Sequence, residues 1–185
     1  IVTTADGGVM VESGGTLTAT QLDSSATDDD TNDISLTTTS GDVRVVSVNA
    51  GSKNDVMLTA AGAITEDDDA STVLTADELT ATAVGAITLD TTVATVDLST
   101  SAAGDINIDE TDTITLQDVS TADGNVIVSS GDFEAVDIRI DGGALPENRR
   151  QTHVLPAGEY ELWMRDSAAD GWTPYNDMGL TIGNY

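Results

Sequence analysis

At 185 residues and 19.0 kDa, the chain is long enough for one sizeable domain, or one domain with a small appendage. Its 33 acidic and 6 basic residues give a net charge of −27, which argues against nucleic acid as a partner, because phosphate binding relies on clustered Lys and Arg. Cysteine is absent, which excludes disulfide and thiol chemistry, and no run approaches the roughly 20 apolar residues of a spanning helix, so no membrane insertion is expected.

The chain opens on Ile1-Val-Thr-Thr, strand-like residues without the basic and apolar regions of a signal peptide, which reads as a processed product or an excised segment. Residues 7 to 40 read as an irregular first coil. Its strands are Val9-Met-Val11 and Thr16-Leu-Thr-Ala-Thr20, and an acidic loop surrounds Thr27-Asp-Asp-Asp-Thr31. Within that loop Asp28, Asp30 and Asn32 have the one-three-five spacing with which a calcium loop begins. Asp33 stands where an EF-hand needs Gly, and Thr39 where it needs a bidentate Glu, so an EF-hand is excluded. A looser calcium site and a plain acidic loop both stay open.

From Gly41 onward a short phrase keeps returning: Gly41-Asp-Val-Arg-Val45, Gly62-Ala-Ile-Thr-Glu-Asp67, Gly85-Ala-Ile-Thr-Leu-Asp90, Gly104-Asp-Ile-Asn-Ile-Asp109 and Gly124-Asn-Val-Ile-Val128. The glycines fall 21, 23, 19 and 20 residues apart, a period at which one supersecondary unit stacks on copies of itself. Two positions after each glycine stand Val43, Ile64, Ile87, Ile106 and Val126, β-branched residues suited to an inward column. The next position reads Arg44, Thr65, Thr88, Asn107 and Ile127, mostly polar and therefore outward, as a period of two requires.

A second phrase recurs between the glycines: Asp33-Ile-Ser-Leu36, Asp55-Val-Met-Leu58, Thr95-Val-Asp-Leu98 and Thr113-Ile-Thr-Leu116, with Val73, Leu74 and Leu79 serving the unit between less tidily. Each unit thus carries at least two short strands joined by turns of Gly, Asp, Asn and Ser, and helix periodicity is missing. The predicted fold is all-β: a parallel β-solenoid of about six coils, with an antiparallel β-sandwich as the alternative architecture. Recurrence of phrases, and not merely of strands, favours the solenoid. Residues 30 to 130, with phrases such as 55 to 64, resemble the filamentous-haemagglutinin-like repeats of large bacterial surface adhesins. That resemblance implies a parallel β-solenoid exposed outside the cell.

The tail changes character. All three prolines, the one histidine, four of the six basic residues and five of the six aromatics lie beyond Phe133. The shift places a boundary near residues 130 to 146, with solenoid repeats over 1–132 and a small aromatic-containing β-module over 133–185. Gly158-Glu-Tyr-Glu-Leu-Trp-Met-Arg165 alternates as a strand, Asp166-Ser-Ala-Ala-Asp-Gly-Trp172 makes a turn, and Met178-Gly-Leu-Thr-Ile182 alternates again. This resembles the Asp-Ser-x-x-Asp-Gly-Trp β-module of secreted bacterial proteins, with Ala168 and Ala169 in place of its usual Tyr-Gly. Such a module would cap the solenoid, and its aromatics offer a contact surface for a glycan.

Superposed coils would set Asp67, Asp90 and Asp109 one above another. Carboxylates one strand apart repel by about 1 kcal/mol per pair in water unless a cation or proton intervenes. The ladder is therefore a candidate calcium site, as are Asp28, Asp30 and Asn32 in the acidic loop and Asp166 and Asp170 in the tail. In each case solvated turn carboxylates are the ordinary alternative. Catalysis has little to rest on: His153 stands alone beside Val154 and Leu155, no nucleophile elbow occurs, and residues 1–132 lack the aromatic platforms of a sugar groove. A threonine ice-binding array is also disfavoured, since the column through Arg44, Asn107 and Ile127 is broken. The expectation is thus a non-enzymatic extracellular or cell-surface protein. It would be a filament subunit or stalk segment of an adhesin, self-associating and stabilised by calcium, with no other cofactor. A carbohydrate-binding or tail-fibre module is the alternative, and a polysaccharide-degrading β-helix enzyme comes last.

Overall fold

The computed structural model describes residues 7–26, 29–67 and 74–140, and among these every paired strand is parallel to its neighbours. The first coil is built from β1 (Val9–Ser13), β2 (Leu17–Ala19) and β3 (Leu22–Asp23), and the second from β4 (Ile34–Thr38), β5 (Val43–Val45) and β6 (Val48–Asn49). The third begins with β7 (Val56–Ala60) and β8 (Ile64–Thr65). It closes on β9 (Leu74–Ala83), whose second half already belongs to the fourth coil. β10 (Ile87–Ala103), β11 (Ile106–Glu110), β12 (Thr113–Asp123) and β13 (Val126–Ser129) continue the winding. β14 (Asp132–Ala135) and β15 (Ile138–Ile140) both pair with β12. Stacking of about six coils makes a β-solenoid. The antiparallel sandwich is overturned: units of this length, each returning to the same face, bring equivalent strands alongside in one direction.

Three sheet faces result. The first stacks Val9, Ile34, Val56, Leu79, Val96 and Leu116 in register. The second stacks Leu17, Val43, Ile64, Ile87, Ile106 and Val126, the column expected from the glycine phrase. A third face, not anticipated from the phrases, stacks Leu22, Val48, Leu74 and Thr91. Ile34, Val43, Ile64, Leu79, Ile87 and Ile106 are fully buried, and each such side chain stabilises by roughly 1.5–3 kcal/mol relative to exposure. Alternation of inward apolar and outward polar residues produces this core, and at the β9 corner Asp77 and Glu78 both face outward.

Most glycines of the repeated phrase, Gly85 excepted, are required by close approach between coils. A Cβ on Gly104 would meet Gly85 C and Ala86 N at 2.6 Å, and one on Gly124 would lie 2.2 Å from Gly104 O. Each glycine turn therefore sits directly against the glycine turn of the coil before it. Backbone ladders run through the same place: Val43 N donates to Ala63 O, Ile64 N to Ala86 O, and Ile87 N to Asp105 O, all at 2.9 Å.

The fourth occurrence of the second phrase is displaced. Thr95 pairs with Thr115 rather than Thr113, and an irregularity after Leu116 brings Asp118 opposite Asp97. The parallel stack also continues past residue 132, through β14 and β15 to Ile140. The aromatic tail beyond Ile140, with Asp166, Asp170 and His153, lies outside the described residues, as do Asp28 and Val73.

Candidate functional site

Alternation on β10 and β11 turns Asp90 and Asp109 outward in direct register on neighbouring coils. Partial burial, and then the charge of Asp109, hold the Asp90 carboxyl above the usual carboxylate range. The third member expected in this ladder, Asp67, ends a described segment, and the pairing of β8 with β10 is confined to Ile64 and Ile87. Of the three, register is shown for Asp90 with Asp109.

A second pair was missed by the phrases. Asp97 and Asp118 meet across β10 and β12, and burial followed by the charge of Asp118 raises the Asp97 carboxyl. Asp118 Oδ2 lies 3.6 Å from an Arg139 guanidinium nitrogen, while its Oδ1 is buried without a hydrogen bond. Arg139 also pairs with Asp137. Only the irregularity beside Gln117 creates this pair, and nothing in the repeated phrase signals it.

Several turn aspartates act as ties between coils. Asp33 Oδ1 accepts from Asp55 N at 3.0 Å, Asp42 Oδ1 from Ala63 N at 2.8 Å, and Asp105 Oδ1 from Asn125 N at 2.7 Å. Asn32 and Asn54 belong to the same class. Asn54 Oδ1 accepts from Thr31 N and Asn32 N at 3.1 and 3.0 Å, and Asn32 Oδ1 accepts from Gly7 N at 2.7 Å. Asn32 is buried, so in the one-three-five spacing its amide organises backbone, next to Asp30 in the left-handed region with φ 68.

Glu110 was likewise unanticipated. It sits inward below Thr91 in the third face, only 3% exposed; its Oε2 accepts from Thr91 Oγ1 at 2.8 Å and Val93 N at 3.1 Å, and its Oε1 from Asp112 N at 3.3 Å. Burial raises its carboxyl above the usual range against the pull of those donors. The repeated phrases carry no signal for it, because the column Leu22, Val48, Leu74, Thr91 exists only once the third face is assembled.

Among the described residues no three acidic or histidine side chains gather into a group that could hold a metal ion. The arrangement consists of carboxylate pairs on outward faces, carboxylate ties in the turns, and one buried glutamate locking a corner. No protein-family model, no curated protein and no solved structure matches the chain.

Proposed function

We propose that this chain is a non-enzymatic structural protein of the cell exterior, a rod segment in the stalk of a surface adhesin or the subunit of a surface filament. The observation that carries this reading is the unbroken stack from Val9 through Ile34, Val56, Leu79 and Val96 to Leu116, with a parallel ladder at every step. Inter-coil hydrogen bonds point along the stacking axis, so an axial load is shared by the faces of each coil interface. Stacked coils supply stiffness, outward carboxylates keep the rod dispersed, and self-association extends it.

Calcium enters as a counter-ion. Asp90 with Asp109, and Asp97 with Asp118, supply two carboxylates each, short of the roughly 6–8 oxygens calcium prefers. A melting midpoint unmoved by added calcium removes that part of the proposal. The rod itself is tested by stretching single full-length chains tethered at both ends, with extension expected in coil-sized force steps. Featureless extension, or polysaccharide turnover abolished by Asp90→Asn, would overturn it.

A further inference from the structure

We propose that an uncharged strip on the first sheet face is a lateral contact between two copies of this chain, lying side by side and pointing the same way. The inference deepens the filament reading and rests on it, since the partner is a second rod. On three successive coils the outward positions of this face are Ser35 and Thr37, Met57 and Thr59, Thr80 and Thr82, aligned by register into two rows. None carries charge, in a chain whose net charge is −27. The second row continues through Ser99 and Ser120, while the first runs on into Asp97 and Asp118, and Glu12 stands before Thr37. Met57 is 51% exposed, and Val84, just past the strip, is 45% exposed.

The partner follows from charge. A like-charged copy can approach only where carboxylates are missing, and the strip meets that condition over the three coils between Glu12 and Asp97, which close its rows. Its two edges differ. Along the corner before the first row run Asp33, Asp55 and Glu78, whereas Ala61 and Val84 border the opposite side. Two copies of one face meet about a two-fold axis lying either across the rod or along it. The axis across the rod sets acidic edge over acidic edge. The axis along the rod sets each acidic edge over the uncharged edge of the other copy, and so the rods run parallel.

Three coils at ~4.8 Å, and a strand width of about 17 Å, give a patch on the order of 300 Å² per copy, below the roughly 800 Å² of a stable complex. The contact is therefore weak and depends on screening. Sheets packed ~10 Å apart feel each other's carboxylates at 0.1 M salt, where the Debye length is about 10 Å, but not at 1 M, where it is about 3 Å.

Sedimentation of the full chain is expected to show monomers at low salt and concentration-dependent dimers at about 1 M sodium chloride. Thr59→Glu and Met57→Glu abolish the dimer, while Thr88→Glu, at an outward position of the second face, leaves it unchanged. The chain lacks cysteine, so orientation can be read by cross-linking with a bis-maleimide of about 10 Å reach, matched to the sheet spacing. In a mixture of the single variants, Thr37→Cys cross-links to Ser35→Cys in the parallel pair, whereas an antiparallel pair would join Thr37→Cys to Thr82→Cys instead. Monomers at every salt concentration, equal loss in Thr59→Glu and Thr88→Glu, or the antiparallel cross-link would each overturn the proposal. Single-chain stretching does not involve this contact, so a failure here leaves the rod reading standing, and a failure there removes it.

Discussion

Gly104 and Gly85 hold the same place in successive coils, yet an added methyl would meet different surroundings. At Gly104 it collides with backbone at 2.6 Å, while at Gly85 its nearest neighbour, Gly62 O, is 3.4 Å away. Gly104→Ala should therefore cost roughly 1–3 kcal/mol by overpacking, and Gly85→Ala should stay within about 0.5 kcal/mol, both read from urea unfolding. Equal effects would mean that the coils can part at that turn. Glu110 offers a second contrast. Glu110→Ala leaves the Thr91 hydroxyl and the Val93 and Asp112 amides without their acceptor, at roughly 1–3 kcal/mol for each group that stays buried. Glu110→Gln keeps one acceptor oxygen and should lose less. Legibility at this scale was uneven: glycine recurrence was plain in the chain, but its cause at Gly104 and Gly124, contact with the preceding turn, depends on a residue about 20 positions away.

Strands determine which of these residues meet. β10 carries two raised carboxyls, Asp90 toward β11 and Asp97 toward β12, each facing an aspartate in register. A carboxyl raised in the folded state penalises folding above its folded pKa, and the penalty fades as pH falls through that value. Asp90→Asn and Asp97→Asn should therefore each raise the melting midpoint at neutral pH, with the gain shrinking as pH falls into the carboxylate range. Thermal scans at several pH values measure this. A gain independent of pH would point to packing rather than charge. Inward columns of the first two faces were legible because alternation within a strand is local. The pairing of Asp97 with Asp118 was not, because one irregularity in β12 shifts every later partner.

The whole molecule adds these terms. Asp55, Asp90, Asp97 and Glu110 are all raised, foremost by burial, and the net charge of −27 opposes compaction. The sign is the same for each group: ionisation is disfavoured in the folded state, so stability should rise as pH falls into the upper part of the carboxylate range, and rise again with added salt. Calorimetry over that range checks it. A midpoint that falls with mild acid would show that these buried carboxyls do not govern the acid response.

By itself the amino-acid sequence determined the period, the all-β character, the parallel solenoid and the inward column from Val43 to Val126, because each rests on patterning within a strand or on repeated phrases. Tertiary structure alone decided the third face, the inward seat of Glu110, the Asp97–Asp118 pair and the grouping of uncharged residues into one strip. Those features depend on register between coils, and register sums the length of every turn and irregularity along the winding. A shift of one residue in any coil would reassign the neighbours of all that follow, so no local stretch contains the answer.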